Sequence, residues 1–183
     1  EAFLETAMTR DLVIDGVLAA SERQAAGLWQ IREGMIEGQA LRGPHLRTDL
    51  SVSPSQVAGF ITQSIEELAK KLPDCLPVAY GHVGDGNIHL NVIPPRGLDR
   101  EARDAMLYEA KTILNAVVDR HGGGISAEHG IGRLKRGDFE ARRSPVHVTL
   151  LRGLKQLLDP ADLMNPGCQL TSPRDGADVR SLG

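Results

Sequence analysis

Aromatic residues are nearly missing from this chain: of 183 residues, three are Phe, two are Tyr and one is Trp. Its core must therefore be assembled from Leu, Ile, Val and Ala, and a chain of this length can bury one without disulfide or metal staples. Cysteine is equally scarce. Cys75 and Cys168 stand far apart, which argues against a disulfide framework and reads as two reduced thiols of a cytoplasmic protein. No apolar run reaches the roughly 20 residues that a membrane span needs, and no signal-peptide pattern opens the chain. An excess of basic residues is lacking too. The net charge of -3 argues against a nucleic-acid partner, which favours a basic surface. Small acidic substrates remain compatible, because local arginines matter more than the net charge. The chain starts at Glu1 rather than Met, so it is expected to be a processed or truncated piece.

What is present has a clear order. Residues 11–19 read as a strand interrupted by Gly16, and 21–38 as a helix with Ser21 as N-cap and a core stripe of Leu28, Ile31 and Met35. A strand is expected over 48–53 and an amphipathic helix over 54–72, with Pro54 in its first turn. Residues 76–95 read as a β-hairpin with Asp85-Gly86 at the tip, closed by Pro94 and Pro95. A long helix is expected over 99–120, irregular backbone over 121–137, a helix over 145–158, then the loop DPADLMNPG and a disordered tail over 171–183. This order predicts an α+β domain over 1–170, ferredoxin-like, with helices on one face of a mainly antiparallel sheet.

Three segments carry chemistry. In GHVGDGNIHLNV, a two-residue turn at Asp85-Gly86 would place His82 directly opposite His89. Opposed side chains share a face with Cβ atoms about 4.5–5.5 Å apart, so both imidazoles could hold one metal ion. Asn91 faces the same way, an amide suited to a substrate oxygen. Two ligands do not make a metal site, however, and exposed histidines beside an ordinary turn fit the pattern equally well. In GGGISAEHGIG, Glu128 as a third ligand would complete a His2Glu set with one open position. His129 beside it would be free to move a proton. A glycine-rich loop can cradle phosphate instead, but no GK[ST] follows this one. Arg32 and Arg47 are candidate carboxylate clamps, through the bidentate geometry of guanidinium; solvated surface arginines are the plainer reading.

WQIRE, RTDLSVS, GHVGDGNIHLNV, ISAEHGIG and DPADLMNPG occur in an order that resembles the C-terminal domain of the FAD-linked oxidases. That family includes D-lactate dehydrogenase, the glycolate oxidase flavin subunit and D-2-hydroxyglutarate dehydrogenase, and the resemblance is nearest to the last branch. It implies a divalent metal, Zn or Mn, on His82, His89 and Glu128, with His129 as proton acceptor. It also implies substrate contacts from Asn91 and from Arg32 on the carboxylate, and a flavin contact near Asn165. Arg47 stands where members usually carry Lys, which keeps the charge. FAD in this family is held mainly by a separate N-terminal domain, to which nothing here corresponds. The chain alone is therefore expected to lack the flavin and to be inactive.

The leading expectation is thus part of an enzyme that oxidises a 2-hydroxy acid such as D-2-hydroxyglutarate, D-lactate or glycolate, with hydride transfer to FAD. Its partners would be the substrate, its own FAD-binding domain and an unnamed electron acceptor; a homodimer is allowed. Two other classes remain open from the residues alone. One is a non-catalytic metal or small-acid binding module, and the other is a His2Glu metallohydrolase.

Overall fold

The computed structural model describes residues 2–171, and its backbone divides into two units, 1–44 and 45–183. Of the tail expected over 171–183, residues 172–183 lie outside the described residues.

In the first unit α1 (Ala2–Thr9) is an element the sequence pattern did not signal, followed by α2 (Glu22–Ala40). A Schellman motif ends α1. Asp11 takes φ 53, its N–H donates to Met8 O, and the N–H of Leu12 donates to Ala7 O. The expected strand over 11–19 does not form: the segment pairs with no strand, and Leu12, Ile14, Val17 and Leu18 are exposed. Ser21 caps α2 as expected by accepting from Gln24 N, while Gln24 reaches back to the N–H of Ala20. The core stripe is corrected: Leu28, Ile31 and Met35 are exposed. Among its described residues this unit buries only Ala7 and Gln39, so α2 has no apolar layer within the unit to cover that stripe.

The second unit holds the sheet. Its strands β1 (Leu50–Ser51), β2 (Leu76–His82) and β3 (Asn87–Ile93) lie in the order β1-β3-β2, antiparallel throughout. A 3-10 turn at Pro54–Gln56 leads into α3 (Val57–Lys71), and α4 (Arg100–Arg120) is capped by Asp99. Further on come α5 (Arg136–Ala141) and α6 (Pro145–Leu158). Apolar residues recur at helical spacing on α3 (Val57, Phe60, Leu68) and α4 (Ala110, Ile113, Leu114, Val117, Val118). They bury against Ile88, Leu90 and Val92, one face of β3. The architecture is α+β, with helices over one face of an antiparallel sheet. Phe60 is fully buried there, and a Phe→Ala change at such a position typically costs about 3–5 kcal/mol.

Two details of the sheet differ from expectation, and both shape the other face. Asp85-Gly86 is not a two-residue tip. Val83–Asp85 form a 3-10 turn, and Gly86 follows at φ 70, where a Cβ would lie 1.9 Å from Val52 O. His82 therefore pairs with Asn87, and His89 pairs with Tyr80. The register is shifted by two residues from a two-residue tip, and a shift of two keeps every side chain on its face. The strand expected over 48–53 forms a regular ladder only at Leu50–Ser51. Upstream, the Thr48 side chain replaces the ladder: Leu90 N donates to Thr48 Oγ1, which donates to Leu90 O, each at 2.9 Å.

Candidate functional site

The face of the hairpin turned away from the α3–α4 core carries Tyr80 and His82 from β2 with Asn87, His89 and Asn91 from β3, because cross-strand partners share a face. Above it lies the segment after α4. Gly123 and Gly124 bring that segment against β1, where Ser51 and Gly124 exchange backbone hydrogen bonds at 2.8 and 2.9 Å. A Cβ on Gly123 would stand 2.3 Å from Ser51 O. The glycine run thus serves close backbone approach.

The loop then turns over Asp49. The N–H groups of Ala127 (3.1 Å), Glu128 (3.1 Å) and His129 (3.0 Å) all donate to its carboxylate. The Ser126 hydroxyl and the Lys135 ammonium join them at 3.0 and 3.2 Å. Asp49 is 1% exposed. Burial by itself pushes its carboxyl up, but the amides of His129 and Glu128, with Lys135 and Ser126, outweigh burial and hold it well below the usual carboxylate range.

So anchored, the loop delivers Glu128 to the hairpin. His82 donates Nδ1–H to Glu128 Oε1 at 3.0 Å, and His89 Nε2 stands 3.9 Å from Oε2. His89 Nδ1 bonds the Thr48 carbonyl at 2.9 Å. A carbonyl only accepts, so the proton of a neutral His89 sits on Nδ1 and its Nε2 lone pair faces the carboxylate. A backbone carbonyl behind the imidazole is the usual way to orient a metal-binding histidine. The ring of His129 stacks on His89, with centroids 5.6 Å apart and planes 24° apart, and Tyr80 lies against the same imidazole at 5.2 Å.

The donor types suit a divalent cation, since two imidazoles approach one carboxylate and both His82 and Glu128 are half exposed. Among the described residues, the group whose ligand-type atoms all lie within 4.8 Å of one another is instead Asp49, Glu128 and His129. That grouping fits a cation less well, since the oxygens of Asp49 already accept from amides and from the Lys135 ammonium.

The other expected site residues fall as follows. Asn91 is buried, accepting from Thr48 N at 2.9 Å and donating to the Tyr80 hydroxyl at 3.1 Å. Arg47 is exposed on the approach to β1, and Arg32 lies partly exposed on α2 in the first unit. Asn165 is exposed with φ 49, in a loop tied to the glycine-rich segment. Arg133 donates to Pro166 O, Arg136 to Gly167 O, and Gln169 N to Gly132 O. A separate concavity of about 750 Å³ lies between α6 and the residues after it, lined by Leu154, Leu158, Asp159 and Cys168 among others. It contains none of His82, His89, Glu128 or His129.

The model for the family described as "FAD linked oxidases, C-terminal domain" matches residues 1–168. The chain belongs to this family. Among relatives of this FAD-linked oxidase C-terminal domain is a D-2-hydroxyglutarate dehydrogenase of Xanthomonas citri pv. viticola, 39% identical over 91% of this chain and 35% of the relative. The mitochondrial D-2-hydroxyglutarate dehydrogenase of Arabidopsis thaliana is 36% identical over 91% of this chain and 28% of the relative. A putative mitochondrial D-lactate dehydrogenase of Schizosaccharomyces pombe is 33% identical over 90% and 32%. The chain thus spans about a third of the length of the curated relatives it matches.

Sequence reasoning on this domain missed Thr48 and Asp49, which hold His89, Glu128 and His129 in place. The available signal was an acidic residue inside the apolar run DLSV, where an unpaired charge is costly to bury. Among the described residues no helix is long and apolar enough to cross a membrane, and Cys75 and Cys168 are free thiols.

Proposed function

We propose that this chain is the substrate- and metal-binding portion of a cytoplasmic, FAD-dependent dehydrogenase that oxidises a D-2-hydroxy acid to the 2-oxo acid, with D-2-hydroxyglutarate the first substrate to test. The observation that carries the reading is the convergence of His82 and His89 on Glu128, with the His89 lone pair turned toward the carboxylate. The names of the relatives support the reaction class. FAD, when bound, supplies the acceptor for the hydride leaving C2, and a divalent cation, Zn or Mn, supplies a Lewis acid.

His82, His89 and Glu128 hold the cation. The imidazole of His129, exposed beside them, takes the proton of the substrate hydroxyl. Loss of that proton and of the C2 hydride leaves the 2-oxo acid, so the atoms and the two electrons balance. Arg47 orients a substrate carboxylate, which supplies proximity rather than chemistry. Arg32, on the first unit, has the same role only as what the family resemblance implies. Asn91 serves the substrate through the Tyr80 hydroxyl, to which its amide donates, rather than by the direct contact expected of it. Asn165 would contact the flavin, as the family resemblance implies.

The test uses the protein that carries this chain together with its flavin-binding part. Under anaerobic conditions D-2-hydroxyglutarate should bleach the flavin band, and its L enantiomer should not. Failure of D-2-hydroxyglutarate, D-lactate and glycolate alike to reduce the flavin would overturn the assignment.

A further inference from the structure

We propose that Asp49 is a positioning residue, an internal anion that fills a nest of backbone donors and so sets where Glu128 and His129 stand relative to His82 and His89. The proposal rests on the metal-site reading above.

Three successive amides, those of Ala127, Glu128 and His129, point at one carboxylate. Such a concavity of consecutive N–H groups is a general anion-binding device. Here the anion is part of the chain, 78 to 80 residues away along the sequence. Lys135 adds a full positive charge from the far end of the same loop. A carboxylate this deeply buried persists as an ion only because these donors compensate the lost water. The arrangement therefore works in both directions: the loop solvates Asp49, and Asp49 fixes the loop.

The consequence is specific to the site. Glu128 reaches His82 on β2 and His89 on β3 from a backbone position set by the bond between its own N–H and Asp49. The residue before Asp49 completes the frame, since the Thr48 carbonyl holds His89 Nδ1. Two adjacent residues thus orient the sheet-borne imidazole on one side and the loop-borne carboxylate on the other. Asp49 acts through Glu128 and His129 and need touch neither cation nor substrate.

An empty nest should accept a free carboxylate, and this makes the proposal testable. In Asp49→Ala the donors remain while the carboxylate is gone. Hydrogen exchange measured on the metal-free chain should show the amides of Ala127, Glu128 and His129 exchanging at least about tenfold faster, with the amides of Leu114 and Val117 unchanged. Added formate should restore protection in Asp49→Ala but not in Asp49→Asn, where the side-chain amide occupies the nest. Co²⁺ serves as a spectroscopic probe: its affinity should fall about tenfold or more in Asp49→Ala and recover with formate, which should leave the wild-type spectrum alone.

Unchanged exchange at residues 127–129 in both variants would overturn the proposal. So would faster exchange with unaltered Co²⁺ binding, because the loop would then be held without the ligand being placed. Loss of protection at Leu114 and Val117 in both variants would make Asp49 a general stability residue and also overturn it. If the wild-type chain binds no Co²⁺, the metal-site reading fails by itself, and the exchange and formate results alone decide the role of Asp49.

Discussion

His89 Nε2 faces Oε2 of Glu128 at 3.9 Å while its Nδ1 is held by the carbonyl of Thr48 at 2.9 Å. Two lone-pair-bearing atoms so placed repel each other until a cation, or a proton, comes between them. Binding of a divalent ion should therefore stabilise the folded chain. At 100 times its Kd a ligand contributes about 2.7 kcal/mol. With about 2–4 °C of Tm per kcal/mol for a chain of this size, Zn or Mn should raise Tm by about 5–10 °C. A chelator should reverse the rise, and Glu128→Ala should show none. A wild-type Tm indifferent to both metals would remove the basis for the site.

Asn87 and Asn91 sit on the same face of β3 and differ in how their amides are used. Asn91 bridges Thr48 and Tyr80, whereas both polar atoms of the Asn87 side chain are buried without a hydrogen-bond partner. Leaving a buried polar group unpaired costs about 1–3 kcal/mol. Asn91→Leu should then destabilise the metal-free chain by about that amount, by orphaning Thr48 N. Asn87→Leu, similar in volume, should be neutral or stabilising. Urea denaturation of both variants decides this, and equal destabilisation would contradict it.

Helices α2, α3, α4 and α6 were legible while α1 and α5 were not, and where the signal is local it could be read, as at Ser21, which caps α2 within three residues of the bond it makes. The shared face of His82, His89 and Asn91 was legible too, since alternation survives a two-residue change of register. The register itself was not, because it depends on Gly86 meeting Val52 O across the sheet. Asp49 went unread for the same reason, its partners lying 77 to 86 residues away. The stripe Leu28, Ile31 and Met35 misled because helical spacing shows an apolar face and is silent on what covers it.

Glu128 and His129 are neighbours in sequence with separable roles. Glu128→Ala removes the carboxylate between the two hairpin imidazoles, so the protein should lose metal and activity together. At His129 the backbone N–H donates to Asp49 at 3.0 Å, closer than the ring, whose Nδ1 stands 3.8 Å from the same carboxylate. His129→Ala should leave the ligands in place, keep near-normal metal content and lower kcat by about 10²–10⁴, the usual cost of removing a general base. The ring also stacks on His89, and alanine removes that contact as well. His129→Phe separates the two effects, because a phenyl ring preserves the stack and accepts no proton. Metal analysis beside single-turnover flavin reduction should show both His129 variants loaded and slow. Recovery of rate in His129→Phe would mean that His129 acts by packing against His89, and the base would have to be sought elsewhere. Loss of metal in His129→Ala with retention in Glu128→Ala would exchange the two roles.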